Sequence, residues 1–100
     1  MTLERIKIRH KVLELCAEDD YGTWELWWSV SGEAPEGTDD LRRDFAAVVE
    51  TLVSERELVA KRRSAGGALV ASPFSRKRLL AELKNASRPD PNGTYWFGTV

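Results

Sequence analysis

Apolar positions recur at helical spacing in four stretches of the chain. Leu3, Ile6, His10, Leu13 and Ala17 predict a first helix, capped by Thr2 and running to about Glu18. Val12 and Cys16 widen its stripe, whereas Ile8 and Leu15 fall off it, so this helix is buried on two sides or meets a partner. Glu18 to Gly22 breaks the pattern as a turn. A short second helix starts at Thr23. Trp24, Trp27 and Trp28 lie at i, i+3 and i+4, Leu26 and Val30 cover another side, and Gly32 suits the position after its end. Three tryptophans at that spacing are expected in a core or an interface.

The third helix has the clearest pattern. Thr38, Asp39 or Asp40 caps it, and Leu41, Phe45, Val48, Val49 and Leu52 form its apolar face. The opposite face carries Arg42, Arg43, Ala46, Ala47 and Glu50. The helix ends near Glu55-Arg56-Glu57, where a glycine is usual and none stands. Leu58 to Arg63 and Ala68 to Ala71, joined through Ser64-Ala65-Gly66-Gly67, predict a β-hairpin. Ser72-Pro73 predicts the start of a fourth helix, with Leu79, Leu80, Leu83 and Ala86 on its buried side. Residues 89–93 form a connector rich in turn residues, and Thr94 to Val100 read as an aromatic closing strand. That strand is expected to extend the hairpin, with Tyr95 and Phe97 on one face and Trp96 on the other. The expected core comprises Leu13, Trp27, Phe45, Val48, Val49, Leu52 and Leu83.

Three helices followed by a hairpin form the order of a winged helix-turn-helix domain. Residues 40–53 resemble its third, recognition helix, and Leu58-Val59-Ala60-Lys61-Arg62-Arg63 resembles the first wing strand. With Tyr21 to Trp27 early and Tyr95-Trp96-Phe97 late, the whole chain is similar to small bacterial proteins of this shape. The expected fold class is therefore α+β: a single winged-helix-like domain over residues 1–100, with three helices, a β-hairpin wing, a fourth helix and a C-terminal strand. The resemblance implies a transcription-related protein that grips double-stranded DNA. The alternative use of the same fold is contact with a protein partner.

Composition narrows the chemistry. The 100 residues include 42% apolar and 31% charged positions, ordinary for a globular protein. One cysteine, Cys16, excludes an internal disulfide, and one histidine, His10, excludes the usual Cys/His zinc site. His10 and Cys16 point about 120° apart on one helix, so they form no nucleophile–base pair. Cys16 reads as a small core residue, and His10 as a core or boundary residue. Glu18, Asp19, Asp20 and Glu25 lack the spacing of a calcium loop. No glycine motif cradles a phosphate. An enzyme, a metal site and a cofactor are not expected. No apolar run is long enough for a membrane span and the N-terminus is unlike a secretory signal, so a cytoplasmic location is expected.

The net charge of −1 conceals a partition: residues 1–13 carry +3, residues 14–57 carry −10, residues 58–81 carry +6, and the rest balance. Candidate phosphate contacts are Arg42 and Arg43 on the third helix, and Lys61, Arg62 and Arg63 on the wing strand. Arg76, Lys77 and Arg78 join them in the first turn of the fourth helix, where cations oppose the helix dipole. Acids on the third helix oppose a duplex. A third helix of acidic character and a divided surface would favour a protein partner. The second side of the first helix and the outer face of the aromatic strand both need cover, which points to a homodimer.

Overall fold

The computed structural model describes residues 3–32, 39–84 and 95–99. The expected loop before Asp39, the connector at 89–93 and Ala86 lie outside them. Among the described residues the architecture is α+β, with four helices and a four-stranded antiparallel sheet. The elements are α1 (Leu3–Glu18), β1 (Tyr21–Gly22), α2 (Thr23–Ser31), α3 (Asp39–Ser54), β2 (Leu58–Arg63), β3 (Leu69–Ala71), α4 (Arg76–Lys84) and β4 (Trp96–Thr99). The sheet order is β1-β4-β2-β3. The closing strand does extend the hairpin, on the far side of β2 from β3, with Ala60 opposite Phe97 and Lys61 opposite Trp96. Its other edge takes β1, two residues that the sequence pattern reads as a turn, with Tyr21 opposite Phe97 and Gly22 opposite Trp96.

The core lies between the helices and one sheet face. Trp27, Phe45, Val48, Val49, Leu52 and Leu83 are all buried as expected; Leu13 is only half-buried at the margin. Trp27 and Phe45 meet with ring centroids 5.6 Å apart, joining α2 to α3. Tyr95, just before β4, and Phe97 in it are buried in the core, while Trp96 lies on the outer face over Gly22.

Four local expectations need correction. First, α1 buries Ile8, Val12 and Cys16, a stripe at i, i+4 and i+8, and leaves Ile6, His10 and Ala17 exposed. The core therefore selects Ile8, which the predicted stripe omitted. Second, Ala46 and Ala47 of α3 are buried as well, because α1, α2, α4 and β2 surround this helix. Third, α4 begins at Arg76 and not at Ser72-Pro73. Phe74 packs on Tyr95 and Phe97, and the Tyr95 hydroxyl donates to the Pro73 carbonyl and accepts the Ser75 N–H. Those contacts keep residues 73–75 out of a helix, and Ser75 takes the capping position, its carbonyl accepting the Leu79 N–H. Fourth, Gly22 and not Thr23 occupies the N-cap of α2; the Thr23 N–H and hydroxyl both donate to the Tyr95 carbonyl, at 3.0 and 3.2 Å.

The missing glycine after α3 is replaced by Arg56 at φ 60°. The Glu57 N–H donates to Leu52 and the Arg56 N–H to Val53, the paired bonds of a Schellman ending with arginine in the left-handed position. The β2–β3 turn follows expectation: Gly67 takes φ 86°, its N–H donates to Ser64, and the Ser64 N–H donates to Ala68. Ion pairs tie α1 to both ends of α3, with Arg5 2.8 Å from Asp44 in its first half and Arg9 held by both Glu55 and Glu57 just past its end. No helix among the described residues is long and apolar enough to cross a membrane.

Candidate interaction surfaces

Side chains alternate along a strand, so consecutive cations on β2 cannot form one patch. Leu58, Ala60 and Arg62 share the core-side register, and Lys61 and Arg63 share the other. Lys61 reaches both carboxylate oxygens of Asp20, at 3.1 and 3.2 Å. This pair lies against Gly98, where a Cβ would come 2.0 Å from Asp20 Oδ1. Arg63 lies over the Trp96 ring at 5.0 Å and donates to the Gly67 carbonyl. Arg62 stacks on Tyr95, its guanidinium 4.5 Å from the ring centroid.

Arg62 and Arg78 both act on the Glu82 carboxylate, which accepts the Tyr95 N–H at 2.8 Å. Burial raises the Glu82 pKa above the usual carboxylate range; the Tyr95 hydrogen bond and then the two arginines oppose that rise. Arg76 stands 3.7 Å from Glu50, across the exposed side of α3. Lys77 and Arg78 remain exposed, with no ion-pair partner within 4 Å among the described residues.

On α3, Arg42 pairs with Asp39 at 3.1 Å and lies 6.0 Å from the Trp27 ring, while Arg43 stands 3.9 Å from Asp40. The exposed positions of this helix are Asp39, Asp40, Arg43 and Ser54, with Glu50 half-buried beside them. Thus the structure brings Arg62 and Arg78 to Glu82 and turns Arg76 to Glu50 of α3, while Lys77 is exposed. It commits Lys61 to Asp20 and places Arg42 and Arg43 beside acids of their own helix. Asp20, weighed from the sequence only as a member of an acid cluster, and Glu82 carry much of this arrangement. Asp20 lies 41 positions from Lys61, a separation at which no local pattern signals a contact.

The expected tryptophan cluster divides. Trp27 is buried, whereas Trp28 is 57% exposed and Trp24 meets it edge-on with centroids 5.5 Å apart. Glu25 is exposed in the same turn. His10 is exposed and so is no core residue. Cys16 is buried, and burial followed by the charge of Asp20 pushes its thiol up to about 12, which makes it a poor nucleophile. Among the described residues, no three His, Cys, Asp or Glu side chains converge as a metal site. Neither a protein-family model, nor a curated protein, nor a solved structure matches the chain.

Proposed function

We infer that the chain is a winged-helix-like domain whose functional contact is with another protein. Support for the winged-helix reading comes from the order α1-β1-α2-α3 followed by antiparallel β2 and β4, with β1 on the outer side of β4. In that reading β2 and β4 are the ribbon, and β3 with α4 is an excursion between them that folds back on α3. The wing is then not the free hairpin of residues 58–71.

The observation that carries the protein-contact reading is Trp28, a large exposed ring braced by Trp24. Rigid exposed tryptophans are typical anchors of protein interfaces. Glu25, exposed in the same turn, suits a partner segment bearing lysine or arginine. The acids on α3 weigh in the same direction, since they repel a duplex and α3 has little free surface to place in a groove. A photo-reactive residue in place of the exposed Ser29, with Trp28 kept, should mark one protein in the producing cell. Purified chain should then bind that protein in calorimetry, and Trp28→Glu should abolish the heat.

A second reading rests on a separate feature: exposed Lys77 and Arg78, with Arg62 and Arg76 nearby, could follow the phosphate backbone of double-stranded DNA. Its mark is retention of mixed-sequence duplex that falls steeply with salt and is lost on reversing the charge of Lys77 and Arg78. That result, with no protein marked from position 29, would overturn the first reading.

A further inference from the structure

Among the described residues, the fold uses one sequence pattern of α1 only at Leu13, which packs at the margin of the core. Ile6, His10, Leu13 and Ala17 are spaced 4, 3 and 4 apart, the repeat by which one helix seats against another. The protein's own core takes the other side of α1, through Ile8, Val12 and Cys16. Ile6 is 41% exposed, His10 and Ala17 are exposed, and Leu13 is half-buried. Lys7 and Glu14 border this stripe, both exposed and on the same side of it, where the flanking charges of a helix pair stand.

The charges on α1 are arranged badly for a helix alone. Lys7 and Lys11 stand one turn apart in its first half, and Glu14 and Glu18 one turn apart in its second. Each like-charge pair at i, i+4 disfavours the helix, and the one opposite pair between them, Lys11 and Glu14 at i, i+3, offsets only part of that. Glu18 in the last turn also opposes the macrodipole, which favours bases there. Against an identical helix running the other way, the same order becomes complementary.

We propose that α1 pairs antiparallel with α1 of a second copy through Ile6, His10, Leu13 and Ala17, with Lys7 of each copy facing Glu14 of the other. The twofold axis falls between Lys11 and Val12, so Ile6 lies opposite Ala17 of the other copy and His10 opposite Leu13. A two-fold contact of this kind is closed and uses the same patch on both subunits. Three turns form a small interface, so the dimer is of the weak, concentration-dependent class. It is independent of the α2 surface and of either reading of function.

Sedimentation equilibrium of the full chain, from micromolar to about millimolar concentration, tests it. The mass should rise from 11.3 kDa toward twice that value. Ile6→Glu should keep the chain monomeric with an unchanged circular dichroism spectrum. Lys7→Glu and Glu14→Lys should each weaken association about tenfold at low salt, and the double exchange should restore it. Restoration is specific to the antiparallel arrangement, because a parallel pair does not set these two side chains against each other. A monomer at all concentrations overturns the proposal, as does a dimer indifferent to Ile6→Glu or a double exchange that fails to rescue.

Discussion

The Tyr95 hydroxyl provides a one-atom test of how the last strand is anchored. It accepts the Ser75 N–H at 3.0 Å and donates to the Pro73 carbonyl at 3.2 Å. Tyr95→Phe removes that oxygen and leaves the ring among Phe74, Phe97 and the Arg62 guanidinium. Two backbone groups then lose their partner. A net hydrogen bond is worth about 0.5–1.5 kcal/mol, and a polar group left buried and unpaired costs about 1–3 kcal/mol. Both bonds are only part-buried, so water recovers some of the loss. The expected destabilisation is about 1–2 kcal/mol, or a fall in Tm of about 4–8 °C per kcal/mol in a chain of this size. Urea unfolding followed by tryptophan fluorescence should show a lower midpoint with the same slope. Tyr95→Ala should cost about 3–5 kcal/mol, since it also removes the ring. A Tyr95→Phe midpoint equal to that of the parent would refute the reasoning: the hydroxyl would then not hold residues 73–75, and the late start of α4 would need another cause.

Other expectations follow from single contacts. Phe45→Ala should destabilise by about 3–5 kcal/mol in denaturant melts, because the ring is fully buried against Trp27. Arg56→Gly should stabilise by about 0.5–1 kcal/mol: it relieves a left-handed arginine, worth about 1–2 kcal/mol, and returns part of that gain as chain entropy. Glu82→Gln keeps an acceptor for the Tyr95 N–H and removes the titrating group. Because the folded pKa of Glu82 is raised, its favourable contribution is complete below the unfolded carboxylate pKa and is lost as pH rises through the folded value. The parent should therefore gain stability relative to Glu82→Gln as pH falls from neutral toward about 4, measured by paired urea melts; the opposite slope would count against a burial-dominated shift.

What was legible in the chain follows from how local each determinant is. The face of α3 through Phe45, Val48, Val49 and Leu52 was readable because a long amphipathic helix fixes its own phase. The β2–β3 hairpin was readable because its turn glycines are local. By contrast, β1 is two residues, and only its pairing with Trp96 and Phe97 makes it a strand. The Ser72-Pro73 start obeyed a sound local rule and yielded to a hydroxyl 22 positions away. The candidate cations suffered similarly: their number was visible, but their neutralisation by Asp20, Glu50 and Glu82 depends on contacts across 41, 26 and 20 positions, a fact of tertiary structure. The case of α1 differs in kind. The helix carries two apolar stripes, and spacing alone cannot say which one the core will take. The fold chose Ile8, Val12 and Cys16, since these are the positions that meet Leu52, Phe97 and their neighbours in one cluster. Of the stripe read from the sequence, only Leu13 packs on the core among the described residues, while Ile6, His10 and Ala17 are exposed, and its flanking charges are complementary to the same helix reversed.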